Sequence, residues 1–135
     1  MRTVQPASGH VAAYEQPHVL CRLSDLHDPG ARGFSLQRGG IETRIFIVRC
    51  DGLLHGYINR CPHTGVNLDW TADRFFDVSG TLLQCATHGA LFRIADGYCI
   101  HGPCAGQALE PIAVQVTPAG DIAVRVGAPM PKAAP

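Results

Sequence analysis

Short runs of alternating apolar and polar residues recur between about residues 18 and 126, and a two-residue period marks β-strands. The clearest is Thr43 to Cys50 (TRIFIVRC), which is rich in β-branched side chains. Asp51-Gly52 leads from it into Leu53 to Asn59 (LLHGYIN), and two such runs around Asp-Gly predict a hairpin. Val19 to Leu23 and Gly33 to Gln37 are shorter candidates, the second followed by a Gly39-Gly40 turn. TLLQ ends directly at Cys85. Ala90 to Ile94 and Tyr98 to Ile100 flank Asp96-Gly97 as a second hairpin. Leu109 to Thr117 and Asp121 to Val126 close the pattern around Pro118, Ala119 and Gly120. No helical period lasts beyond a turn or two. The prediction is a mostly β domain with loops at the strand ends.

Composition narrows this picture. A chain of 135 residues fits one domain, and 46% hydrophobic residues suffice for a real core. The domain is expected over 18–126, between an N-terminal arm (1–17) and a Pro/Ala-rich flexible tail (127–135). Eleven basic and eleven acidic residues balance, so nothing points to nucleic acid or to an anionic membrane surface. No apolar stretch approaches the roughly 20 residues of a spanning helix. The first residues lack the apolar segment of a secretory signal and a twin-Arg pair. A cytoplasmic, non-membrane protein is expected. In a reducing compartment, six cysteines favour metal binding over a disulfide framework. Cys21 and Cys50 lie in strand patterns, where a thiol acts as a small hydrophobe. Cys99 and Cys104 are close enough to raise the question of a bridge, and free thiols are expected.

The remaining cysteines sit in a different context. Cys61 and His63 occur in CPHTG, and Cys85 and His88 in CATHG. Two thiolates and two imidazoles on two loops can hold one metal centre. Thiolate suits both zinc and iron–sulfur clusters. A structural zinc site accepts the same donors, but its usual spacings differ and it needs no such glycine-containing context. In a [2Fe–2S] centre with two Cys on one iron and two His on the other, neutral imidazoles replace two anionic thiolates. The core is then less negative and takes an electron more readily, in a window of about −150 to +300 mV. Gly65 and Gly89 follow each His and let backbone amides approach the sulfurs.

CPHTG, CATHG and the downstream Gly102-Pro103 resemble the Rieske [2Fe–2S] proteins over about residues 18–126. The resemblance implies an antiparallel β-sandwich with a smaller cluster-binding subdomain near 61–105. It implies one [2Fe–2S] cluster, with Cys61 and Cys85 on a buried iron, and His63 and His88 on the iron nearer solvent. Gly102-Pro103 resembles the loop that covers the cluster. High-potential relatives carry a loop disulfide where this chain has Val66 and Thr87. They also carry a Ser and a Tyr, whose hydroxyls bond cluster sulfur, where it has Ala90 and Phe92. Without those bonds the low end of the window is expected, as in soluble Rieske ferredoxins.

Rieske oxygenases add a catalytic mononuclear iron. Here His10, His18, His27, His55 and His101 are scattered, and only residues 127–135 follow the domain. The resemblance therefore implies an electron-transfer protein without a substrate site of its own. It would pass electrons from a reductase to an oxygenase or other redox enzyme. The alternative is a regulatory or small accessory subunit, for example nitrite-reductase-like, with a structural or redox-sensing cluster. The spacer between His63 and Cys85 is longer than in most ferredoxin-type relatives. Its Trp70, Phe75 and Phe76 form either a docking patch or, as aromatics more often do, a satellite core. His101, Asp69 and Asp73 are expected at the surface.

Overall fold

The computed structural model describes residues 17–38, 40–62, 65–69 and 71–126. Most of the expected arm, the tail, Gly39, His63 and Trp70 lie outside them. Among the described residues nine strands form: β1 (His18–Arg22), β2 (Gly30–Arg38), β3 (Ile41–Cys50), β4 (Leu53–Ile58), β5 (Leu82–Gln84), β6 (Leu91–Arg93), β7 (Cys99–His101), β8 (Pro111–Val116) and β9 (Asp121–Arg125). Each falls within or beside a run expected to be a strand. A 3-10 turn at Leu23–Asp25 carries no periodic signal and was not expected. Among the described residues no helix is long and apolar enough to cross a membrane.

The chain separates into two compact units. One joins the segments before Leu26 and after Pro111. Here β9 pairs antiparallel with both β1 and β8. Ile122, Ala123 and Val124 of β9 are fully buried. The Leu23 amide donates to the Gly120 carbonyl, and Arg22 reaches Asp121 at 3.6 Å.

The other unit, Leu26–Pro111, holds the two candidate loops. It has two antiparallel sheets, β2-β3-β4 and β5-β6-β7. The β3–β4 register runs from Ile45↔Ile58 to Cys50↔Leu53 around the expected Asp51-Gly52 turn. Ile45, Phe46, Ile47 and Val48 are all fully buried, so β3 departs from simple alternation. It lies between β2 and β4, and a central strand covered on both faces carries a continuous apolar run. Phe46 and Val48 join Tyr57, Phe75, Leu83, Phe92 and Leu109 in one core between the two sheets. At about 1.5–3 kcal/mol for each large apolar side chain, this cluster is the main source of stability in the unit. The fold is thus mostly β, an antiparallel sandwich with a small second sheet.

The long spacer belongs to this core. Phe75 is fully buried and stacks on Phe46, with ring centroids 4.2 Å apart and planes 10° apart. Phe76 is half-buried and bridges to Leu83, while the Gln84 amide donates to the Phe75 carbonyl at 2.8 Å. These two aromatics are satellite core and pin β5, which leads to Cys85.

Candidate metal centre

The two loops have the same hydrogen-bonded form. In the first, the Cys61 amide donates to the Val66 carbonyl (2.7 Å) and the Gly65 amide to the Cys61 carbonyl (2.8 Å). In the second, the Cys85 amide donates to the Ala90 carbonyl and the Gly89 amide to the Cys85 carbonyl, both at 2.9 Å. Each loop therefore closes from Cys to the fifth residue beyond it. Gly65 and Gly89 have φ of 79° and 69°, a left-handed conformation that favours glycine. The chain after the first loop is tied to the second by the Ala86 amide, which donates to the Leu68 carbonyl at 2.9 Å.

A polar network holds the first loop in place. Asn59, buried at the end of β4, accepts the Leu68 amide (2.8 Å) and donates to Asp69 (3.0 Å). Asp69 accepts the Asp73 amide at 3.1 Å, and the Asp73 carboxylate accepts the Gly33 amide of β2 at 2.7 Å. Asp73 is exposed, as expected, but Asp69 is half-buried and structural. Its hydrogen bond to Asn59 was not legible from a lone carboxylate in a loop.

Burial divides the candidate ligands. Cys61 and Cys85 are 2% and 0% exposed, whereas His88 is exposed. Burial pushes the Cys85 thiol up, the Thr87 and His88 amides aimed at its sulfur pull it down, and the neighbouring Cys61 thiol pushes it up again. The two thiols are thus adjacent in the core, and backbone amides are already aimed at one sulfur. Among the described residues, no three His, Cys, Asp or Glu side chains gather as a metal-holding group. The set that the sequence names is complete only with His63, which lies outside those residues.

The third loop presses on the second. A Cβ on Gly102 would lie 2.9 Å from Ala90 Cα, so Gly102-Pro103 packs directly against the Cys85 loop. His101 beside it is exposed, as expected. Cys104, which stands in no ligand motif, packs in the same core as Cys61, Cys85 and Cys99. Its signal was only its place one residue beyond Gly102-Pro103.

This donor set fits a [2Fe–2S] cluster with mixed ligands. Soft, buried thiols lie on the inside, an imidazole is at the surface, and amides point at sulfur.

Solved structures with the same fold include a chain from the complex of reduced oxygenase and oxidized ferredoxin in carbazole 1,9a-dioxygenase. It is 21% identical, with a TM-score of 0.66, over 85% of this chain and 97% of that one. The ferredoxin of carbazole 1,9a-dioxygenase from Nocardioides aromaticivorans IC177 is 20% identical, with a TM-score of 0.62, over 82% and 97%. A protein assigned as an NADH-dependent nitrite reductase small subunit from Mycobacterium tuberculosis is 24% identical, with a TM-score of 0.59, over 82% and 94%. No curated protein matches the chain significantly. The family model described as the Rieske [2Fe-2S] domain matches residues 16–118. That span takes in both Cys/His loops and the glycine-proline loop, and with it the chain belongs to the Rieske [2Fe–2S] family.

Proposed function

We propose that this protein is a one-electron carrier that takes electrons from a reductase and delivers them to an oxygenase or another redox enzyme. In this reading Cys61 and Cys85 hold one iron of the cluster, and His63 and His88 hold the other. The bound cluster supplies a single-electron couple. The observation that carries the reading is the pair of equivalent loops, with thiols buried and the His88 imidazole exposed. The buried sulfurs keep water from the inner side of the site. The His88 edge is where a partner approaches closely enough for transfer. Ala90 and Phe92 offer no hydroxyl to cluster sulfur, which supports a midpoint at the low end of the family's window of about −150 to +300 mV.

The structural likeness to the nitrite reductase small subunit supports a second reading, an accessory subunit that stays bound to a larger enzyme. Co-purification with a stable large partner favours that reading, and rapid turnover with a separate reductase favours the carrier.

The test is EPR of the purified protein after dithionite. A mean g value below that of all-Cys clusters is expected, and it should be lost in Cys85→Ser and His88→Ala. A colourless protein with stoichiometric zinc would sink the proposal.

A further inference from the structure

Cys99 and Cys104 are both buried, at 0% and 1% exposure, and neither is among the four proposed ligands. Cys99 opens β7 and Cys104 lies in the loop after Gly102-Pro103. Their sulfurs are 3.0 Å apart. Four backbone bonds fix the loop around them. The Cys99 amide donates to the Gln107 carbonyl (2.8 Å), and the Gly106 amide to the Cys99 carbonyl (3.1 Å). The Ala105 amide donates to the Gly102 carbonyl (3.1 Å), and the Gln107 amide to the Cys104 carbonyl (2.8 Å).

The thiol protons have few places to go. The Cys99 thiol donates to the His101 carbonyl at 3.3 Å. The Cys104 thiol donates to the Cys99 sulfur at 3.0 Å and packs in one buried cluster with Cys61. As a thiol it carries one S–H donor. An iron-bound Cys61 sulfur carries negative charge, and an anionic acceptor outcompetes a neutral thiol for that proton.

We propose that Cys99 and Cys104 form a dithiol–disulfide couple that switches a hydrogen bond to the Cys61 sulfur on and off. The inference rests on Cys61 being a cluster ligand. In the dithiol state the Cys104 S–H donates to Cys61, stabilises the added electron and raises the potential. Closure breaks both S–H bonds and forms one S–S bond, with loss of two protons and two electrons. A low-molecular-weight disulfide accepts them through two exchange steps and leaves as two thiols. The sulfurs need to approach by about 1 Å to reach the bond length of about 2.04 Å. The bridged sulfur has no proton to donate, so the potential falls. This pair is separate from the loop disulfide of high-potential relatives, whose positions here are Val66 and Thr87.

The holoprotein is incubated anaerobically in glutathione buffers of rising disulfide-to-thiol ratio. Free thiols are then alkylated and peptides are mapped by mass spectrometry. The cluster midpoint is read in parallel by EPR. A Cys99–Cys104 linkage is expected, with the reduction equilibrium falling on the order of tenfold, about 59 mV for one electron. Cys99→Ala should hold the dithiol-state midpoint in every buffer. Cys104→Ala should sit low in every buffer. Cys104→Ser keeps an O–H donor, should stay nearer the dithiol midpoint, and covers the case in which the alanine variant fails to fold. Two results overturn the proposal: both thiols stay alkylatable across the whole range, or the bridge forms with the midpoint unchanged. Failure of the ligand reading looks different, since Cys61→Ser would then keep its EPR signal whatever the other thiols do.

Discussion

Gly102→Ala tests whether the third loop holds the Cys85 loop in place. Gly102 has φ of 108°, and its absent side chain leaves room for Ala90. An added Cβ would meet Ala90 Cα at 2.9 Å and Ala90 Cβ at 3.1 Å. Carbon contacts prefer about 3.5–4.0 Å, so one loop must retreat by roughly half an ångström or more. The nearest atom is backbone and cannot swing aside. Overpacking of this kind costs about 1–3 kcal/mol, and a side chain at this φ costs about 1–3 kcal/mol more. The sum, roughly 2–6 kcal/mol, is a large share of a typical stability of about 5–15 kcal/mol. Gly52→Ala is the control. Gly52 has φ of 78° in the Asp51-Gly52 turn, and its Cβ would meet none of the described atoms within 4 Å. That variant carries backbone strain alone, about 1–2 kcal/mol. Anaerobic urea unfolding of both holoproteins, followed by far-UV circular dichroism, measures the difference. Gly102→Ala should unfold at clearly lower urea and also broaden the EPR signal, because Ala90 lies two residues beyond His88. If it costs no more than Gly52→Ala, the packing argument is wrong.

Two further outcomes follow from buried polar groups. Asn59→Ala leaves the Leu68 amide without its acceptor and removes the donor to Asp69, so a loss of about 1–3 kcal/mol is expected in the same assay, with faster loss of iron on dilution. Tyr57 is buried and donates to the Ile94 carbonyl at 2.6 Å, and burial followed by Asp96 holds its phenol above the ordinary range. A phenol whose folded value is raised gives stability that is full below about pH 10, the unfolded value, and is lost as pH rises towards the folded one. Tyr57→Phe should therefore cost about 1–3 kcal/mol at neutral pH. It should also flatten the alkaline fall in stability, seen as a shrinking gap to wild type above pH 10.

The β content and the four candidate ligands were legible because their signals are local. A run such as TRIFIVRC, or a Cys and His two residues apart, is visible within one short window. Asp51-Gly52 announced its hairpin for the same reason, and the β3–β4 register agrees. The spacer is less legible. Phe75 and Phe76 could be assigned to core rather than surface only on general grounds, until Phe75 was found stacked on Phe46. Asp69 was expected at the surface, but its hydrogen bond to Asn59 joins residues ten positions apart, which no periodic pattern encodes.

By itself, the sequence determined the strand pattern, the donor types and the absence of hydroxyls at positions 90 and 92. These are properties of single residues and short windows. Only the tertiary structure decided that both loops close in the same way, that Cys61 and Cys85 are buried while His88 is exposed, and that Cys104 packs in the same core as Cys61. The Cys99–Cys104 contact illustrates the difference. The sequence put the two residues close along the chain, but their sulfurs are brought to 3.0 Å by a loop anchored through backbone bonds between β7 and Gln107. Proximity in space comes from packing and hydrogen bonding over long separations, and the chemistry of the thiols depends on it.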